Sequence, residues 1–411
     1  MDNLTHALVG LVLADAVAVA LPKPPSTRVR GLLRLASAVG NNLPDLDFLY
    51  AKITPGKLGY LLHHRGHTHT LLVGVMLGAL TYALLVAWTR RRALALSRAE
   101  TLALAGLSLF GPWAHVGMDA LNSYGVHPFW PAHDGWLYGD AVFIIEPWFW
   151  VLSIPPLALA SATRFGRVLL GLCLAAALVL AWIVPLVGRV TALLLTLGTV
   201  LTVVMSARLR ERGRALLGLG GFIGVMVVFA GASGVARATL LDAMKAQPSA
   251  GGSVTVVDAA LTPLPGNPVC WHGIVVGKRA EMYLLEVALV SIAPEIMPAS
   301  ACHLEPMGAS LGMTTSSRRF TRSVLFQSEH QAPLGGLGDL ARSNCHFAAF
   351  LGFARAPYWL DRGASLYLGD LRYDRSKDAE FAELEVPAGP TQCPPWLPPW
   401  TPPRQDLLGE H

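Results

Sequence analysis

Long apolar runs dominate the first 235 residues and limit what this chain can fold into. Runs long enough to cross about 30 Å of hydrocarbon lie near 4–21, 70–89, 101–121, 141–161, 168–187, 190–206 and 215–234. In lipid, a backbone must satisfy its own N–H and C=O groups, so each run has to be a helix. A shorter apolar segment, 31–43, ends in Gly40-Asn41-Asn42-Leu43-Pro44 and reads as a tilted span or a re-entrant hairpin. The first run lacks a basic leader and begins with Asp2 and His6, so it reads as a retained helix. Hydrophobic residues make up 53% of the chain and charged residues 14%, against roughly 25% charged in a soluble domain. The polarity changes after residue 235. The expectation is a polytopic α-helical membrane bundle of seven or eight spans (1–235), followed by a mixed, strand-rich extracytoplasmic domain (236–411).

Arginine and lysine in the short loops set the orientation. Lys23, Arg28, Arg30 and Arg34 follow the first run, and Arg90, Arg91, Arg92 and Arg98 follow 70–89. Arg164 and Arg167 come after 141–161, and Arg208, Arg210, Arg212 and Arg214 precede the last run. The alternate loops are poor in basic residues. This places the N-terminus and the C-terminal domain outside the membrane. It also accounts for the net charge of +5 without nucleic-acid binding.

In that topology the metal-ligating residue types collect at one face. Asp2 and His6 open the first run, Asp45 and Asp47 follow 31–43, and His115 and Asp119 close 101–121. Four of the thirteen histidines stand in His63-His64-Arg65-Gly66-His67-Thr68-His69, directly before the run at 70–89. Imidazole is the commonest protein ligand for transition metals, and ionisable groups at the ends of membrane spans are expensive unless used. His115 and Asp119, four apart, share one face of a helix, as do Asp2 and His6. In Leu43-Pro44-Asp45-Leu46-Asp47 an extended backbone would point both carboxylates the same way, although Asp after Pro also suits a plain turn. His63 and His67 would suit a helical pair, whereas His64 and His69 require a break at Gly66; spacing alone leaves both open. Carboxylates and imidazoles so gathered are able to hold one or two divalent cations, activate a water and clamp a phosphate.

The segment after Asp119 carries Asn122, His127 and Asp140, which are expected to orient substrate or act as catalytic partners; Arg65 is expected to neutralise a phosphate oxygen. Trp148 and Trp150 read as an interfacial aromatic belt. Glu146 is costly in an apolar run unless paired.

Taken in order, Asp2-Asn3-Leu4-Thr5-His6-Ala7, Leu43-Pro44-Asp45-Leu46-Asp47, His64-Arg65-Gly66 with Thr68-His69-Thr70, and His115 to Asp119 followed by Ala-Leu-Asn-Ser-Tyr-Gly resemble the membrane-bound metal-dependent hydrolases, the YdjM-like inner-membrane proteins. The resemblance covers about residues 1–150. It implies a multi-pass protein of the bacterial inner membrane and a metal-dependent hydrolytic activity. It also implies ligands His6, Asp45, Asp47, His64, His69, His115 and Asp119, favouring His64 and His69 over His63 and His67. His-x-x-x-Asp is also similar to part of the zinc-dependent phospholipase C and P1 nuclease pattern. That remote likeness implies zinc and phosphoester chemistry.

In 236–411, residues 253–257, 273–276, 282–290 and 365–373 have strand composition, and Pro263, Pro265, Gly266 and Pro268 mark a turn. Cys270, Cys302, Cys345 and Cys393 suggest disulfides outside the membrane, with three full pairings open. A zinc site with His272, His303 and His346 is the rival. Asp370, Arg372 and Tyr373 read as a lid or, more simply, as a strand-end ion pair. Pro394–Pro403 reads as irregular. The functional expectation is a membrane hydrolase that cleaves a phosphoester or related bond in a lipid or lipid-linked envelope substrate. A metal-ion transporter and a non-catalytic envelope scaffold are the alternatives from other classes.

Overall fold

A computed structural model describes residues 1–54, 56–246, 253–302, 314–315, 321–373, 381–398 and 404–408. The chain divides into two compact units. One comprises Met1–Leu46, Arg65–Ala230 and Leu264–Asn267; the other comprises Asp47–His64, Gly231–Pro263 and Pro268–His411.

The first unit is helical. Its elements are α1 (Asn3–Ala20), α2 (Thr27–Gly40), α4 (Leu71–Arg91), α5 (Arg98–Asp119), α6 (Pro147–Ala160), α7 (Arg164–Ile183), α8 (Arg189–Arg208) and the first part of α9 (Glu211–Lys245). Side-chain caps define the starts: Asp2 accepts from Thr5 N, Thr70 from Val73 N, and Ser97 with Glu100 forms a capping box. Among the described residues, five helices, α1, α4, α7, α8 and α9, are long and apolar enough to cross a membrane.

The remaining runs differ from the sequence reading for local reasons. The run 141–161 becomes helical only at Pro147, where Glu146 caps the start and Pro occupies the first turn. The segment 31–43 is the C-terminal part of α2, which has 14 residues and therefore spans only about 21 Å. After it, Leu43–Lys52 is a 3-10 helix and not an extended stretch. The last run extends well past residue 234, to Lys245.

Two glycine contacts bring the helices close enough to build a site. A Cβ on Gly111 would lie 2.9 Å from the backbone of Gly40, and one on Gly78 would lie 2.7 Å from Leu109 Cα. The first contact lays the end of α2 on α5; the second lays α4 on α5. The α1–α2 pair is also pinned by a forked ion pair, Arg34 Nε and Nη2 to the two oxygens of Asp15 at 2.7 and 2.6 Å.

The second unit contains an antiparallel sheet of β1 (Thr255–Leu264), β2 (Asn267–Arg279), β3 (Met282–Ser291), β4 (Thr314–Thr315) and β5 (Val324–Pro333), in the order β1-β2-β3-β5-β4. Trp271, Val275, Ala288, Val290 and Phe326 bury one face of it against Ala236, Leu240 and Met244 of α9. The proline-marked turn narrows to Pro265-Gly266, with Gly266 at φ +70°, and both strands run on through Pro263 and Pro268. A second sheet, β6 (Pro357–Asp361), β7 (Ser365–Asp370) and β8 (Glu383–Pro387), accompanies α10 (Leu334–Ser343), α11 (Cys345–Phe353) and the short α12 (Gln405–Leu408). The helix α3 (Gly56–His63) packs on α11 and β8.

The cysteines pair as Cys270–Cys302 and Cys345–Cys393, so they do not form a zinc site; Cys173 is free. His303 and residues 399–403 of the proline-rich tail lie outside the described residues. Asp370 and Arg372 form a buried ion pair at 2.6 Å, the simpler of the two readings.

Because the atoms facing Gly78 are backbone, Gly78→Ala cannot be absorbed by a rotamer change. The substitution is expected to destabilise the helical unit by about 1–3 kcal/mol, measured as a lowered Tm in detergent.

Candidate metal centre

Three helix ends and one short loop converge in the first unit. The last turn of α5 projects His115 and Asp119 on one face. Gly66 breaks the chain after α3, and the 3-10 turn His67–His69 delivers His69 at the start of α4. The 3-10 segment after α2 brings Asp45, and the first turns of α1 bring Asn3 and His6.

Asp45, His69, His115 and Asp119 each offer one ligand atom, all within 4.8 Å of one another. Five of the six separations fall in a narrow range. His69 Nε2 lies 3.1 Å from His115 Nε2, 3.3 Å from Asp119 Oδ2 and 3.5 Å from Asp45 Oδ1. His115 Nε2 lies 3.5 Å from both Asp45 Oδ1 and Asp119 Oδ2. A tetrahedral ion with ligand bonds of 2.0–2.1 Å needs ligand–ligand edges of about 3.3 Å. An octahedral ion with bonds of the same length needs edges of about 2.9 Å.

The tautomer of His115 strengthens the point. Its Nδ1 lies 2.6 Å from the Asn41 carbonyl oxygen, which only accepts, so Nδ1 carries the proton and donates. In the neutral ring, Nε2 is then a lone pair aimed at the centre, the arrangement a metal-bound histidine needs. Asn3 Nδ2 donates to Asp45 Oδ2 at 2.7 Å, which leaves Oδ1 towards the imidazoles.

The other expected site residues take distinct places. His6 stacks on His115, with ring centroids 3.7 Å apart, and its Nε2 lies 3.3 Å from Asp119 Oδ1. It flanks the four-atom group and contacts the oxygen that faces away from it; the Met1 amino group contacts the same oxygen. Arg65 is 2% exposed and lies in the left-handed region at φ 60°. Its Nε meets Asp119 Oδ2 at 3.0 Å, and its Nη1 donates to Asn122 Oδ1 and the Gly125 carbonyl, both at 3.1 Å. The guanidinium also sits 4.4 Å over the Tyr124 ring. The expected phosphate contact is thus replaced by a clamp on Asp119. Asn122 is similarly engaged, its Oδ1 also accepting from Tyr124 N.

His127 is buried and stacked on Trp136, 4.8 Å between centroids. Burial lowers its pKa to about 4. Asp140 is buried at φ 49° in a strand of chain tied back to Ala120 and Leu121 by backbone hydrogen bonds.

His63 and His67 do not form a helical pair, since α3 ends at His63; His67 meets the edge of Trp130. Asp47 and His64 belong to the second unit, where Asp47 Oδ1 lies 3.0 Å from His64 Nδ1.

Glu146 finds its pairing as the α6 cap and as acceptor from Gly266 N at 3.1 Å. The indole N–H groups of Trp148 and Trp150 donate to the Gly266 carbonyl and Thr5 Oγ1. Asn3 and Asn41 escaped the sequence reading: Asn3 stood inside a quoted motif, but nothing in sequence marks a backbone carbonyl such as that of Asn41.

Apolar helices around a buried His/Asp cluster define a membrane protein able to hold a metal ion at this site. Residues 1–189 match the model of the YdjM inner membrane protein family. This part of the chain is similar to that family, in line with the ordered motifs. No curated protein and no solved structure matches the chain, and the likeness to phospholipase C and P1 nuclease finds no support.

Breaking the buried Arg65–Asp119 pair leaves a charge without its partner. Arg65→Ala is expected to cost about 3 kcal/mol, with Arg65→Lys recovering little because a lysine lacks the fork; thermal unfolding of the purified protein checks both. His127 has its pKa lowered to about 4, whereas in the unfolded chain it titrates near 6.5. Its contribution is therefore complete above about pH 6.5 and is lost as the pH falls towards 4, by about 3 kcal/mol in all. His127→Gln should flatten that part of the stability–pH curve.

Proposed function

We propose that this protein is a membrane-bound metal-dependent hydrolase that holds zinc and cleaves a phosphoester or related bond in a lipid or lipid-linked envelope substrate. The observation that carries the metal reading is the set of five 3.1–3.5 Å separations that His69 and His115 make with each other and with Asp45 and Asp119. Zinc suits the mixed N/O donor set and those near-tetrahedral edges. When bound, the ion supplies Lewis acidity and lowers the pKa of a coordinated water.

The chain's own residues divide the remaining work. Asn41 and Asn3 fix the directions of His115 and Asp45. Arg65 offsets the buried Asp119 charge and locks the 119–125 loop. Asp45 is the most exposed of the four donors, at 17%, and marks the side from which substrate arrives. His127 is neutral at physiological pH, so it serves as an acceptor of hydrogen bonds or protons once substrate opens the loop. The arginine distribution supports a site and a C-terminal domain on the extracytoplasmic side. A centre at headgroup depth meets lipid substrates by lateral diffusion, which supports the substrate class.

One observation favours a second reading. Four protein donors form a closed shell, the pattern of structural zinc, whereas catalytic sites keep a position open. A scaffold that uses metal only for stability would share this geometry.

The two readings separate experimentally. Purified protein is expected to carry zinc and to hydrolyse at least one member of a panel of phospholipids and water-soluble phosphoesters. His115→Ala and Asp45→Ala should lower turnover at least 100-fold, His115→Ala with loss of zinc. Zinc-loaded, stable protein without turnover on any phosphoester overturns the hydrolase in favour of the scaffold.

A further inference from the structure

The smaller sheet runs β6-β7-β8, so β8 has a strand on one side only. Beside it lies a cavity of about 540 Å³, lined by Lys57 of α3, His346 of α11, Tyr367 of β7, Glu383 and Glu385 of β8, and Trp396. That size falls within the roughly 300–1,000 Å³ of ligand sites. All of these residues belong to one compact unit. We propose that this cavity binds a short extended peptide, neutral or basic in its side chains, which adds to β8 as a further strand. The site is independent of the metal centre.

The register shows which backbone groups face away from β7. The two strands are antiparallel, with Leu366 opposite Val386, Tyr367 opposite Glu385 and Leu368 opposite Leu384. Ala388 N donates to the Ala364 carbonyl at 3.2 Å, the next pair in that register. Hydrogen-bonded pairs in an antiparallel ladder recur at every second residue, so Leu384 and Val386 turn their N–H and C=O groups towards β7. Glu383, Glu385 and Pro387 turn theirs outwards.

Two side chains agree with that direction. Lys57 Nζ donates to the Glu383 carbonyl at 3.1 Å, and Asn344 Nδ2 donates to the Pro387 carbonyl at 2.7 Å. Pro387 has no N–H, as suits an edge. Between these two plugged carbonyls, no described residue takes up the outward N–H or C=O of Glu385. A donor and an acceptor side by side on a strand edge are matched by another extended backbone, the mode of peptide recognition by strand addition. The plugs at Glu383 and Pro387 limit the opening to one residue's main chain. They also block a long strand of a second copy from pairing along β8, the common hazard of an open edge.

The walls set the preference. Tyr367 and Trp396 offer ring surface to the peptide's side chains. The Glu383 carboxylate is buried and already accepts from the hydroxyls of Tyr358 and Tyr367. That of Glu385 is half exposed; Arg362 Nη1 lies 3.9 Å away and is half exposed too, a pairing that offsets little. Two carboxylates and one ammonium among the lining side chains disfavour an acidic peptide.

The test uses the full-length chain in detergent and blocked pentapeptides of the pattern Thr-Val-X-Val-Thr, with X as Lys, Leu or Glu. Affinity is read by fluorescence anisotropy of labelled peptide, and exchange of the Glu385 amide by mass spectrometry. The amide is expected to exchange freely in the protein alone and to slow at least about 10-fold with the Lys peptide. The Lys and Leu peptides should bind, and the Glu peptide more weakly. Glu385→Pro removes the outward N–H without removing a bond to β7; it should weaken binding at least about 10-fold with the Tm near wild type. Glu385→Ala should keep binding and lose the discrimination against the Glu peptide. A Glu385 amide already protected in the protein alone overturns the open edge. Absence of binding by all three peptides, or equal binding by Glu385→Pro, overturns strand addition. Dimerisation that Glu385→Pro abolishes overturns the peptide in favour of a second copy.

Discussion

The buried ion pair between Arg65 and Asp119 is the constraint around which the helical unit is organised. Asp119 ends α5, offers one oxygen to the four-atom group and lies almost wholly out of water. A carboxylate in that position is costly without a cation and without hydrogen bonds. Arg65 supplies the cation and donates from Nη1 to the Asp119 main-chain carbonyl, and reaching it requires a left-handed residue directly after His64. The bend at Arg65-Gly66 then turns the chain so that His69 opens α4 facing His115. The same guanidinium gathers Asn122, Tyr124 and Gly125, so the loop after α5 is ordered by the charge that orders the ligand.

The helix packing serves this arrangement. Gly40 and Gly111 let α2 touch α5 backbone to backbone, which places the Asn41 carbonyl on His115 Nδ1. A larger residue at either glycine would move the acceptor that sets the tautomer of His115. A packing contact thus decides which imidazole nitrogen faces the centre, and with it the chemistry available there.

Much of this was legible in sequence. His115 and Asp119 share a helix face because they are four apart, and Gly66 does break the chain between His64 and His69. Where the reading failed, a local preference was outweighed. Asp45 and Asp47 were expected on an extended stretch; the backbone after Pro44 is a 3-10 turn instead, and Asp45 is grouped with His69, His115 and Asp119. Arg65 and Asn122 were assigned to substrate by residue type, but burial had already committed both to Asp119 and its loop. Charged and amide groups in a dry interior take the nearest partner, and sequence does not show which partner is nearest.

By itself the sequence determined the membrane character of the first half, the strand-rich second half and the residue types at the centre. Hydropathy over about 20 residues and the spacings of a helix are local properties, readable along the chain. Only the tertiary structure decided which four donors gather within 4.8 Å of one another, which cysteines pair, and that α3 with Asp47 and His64 belongs to the C-terminal unit. Those outcomes depend on contacts between residues far apart in sequence, where backbone close approach and burial choose among partners that are chemically equivalent on paper.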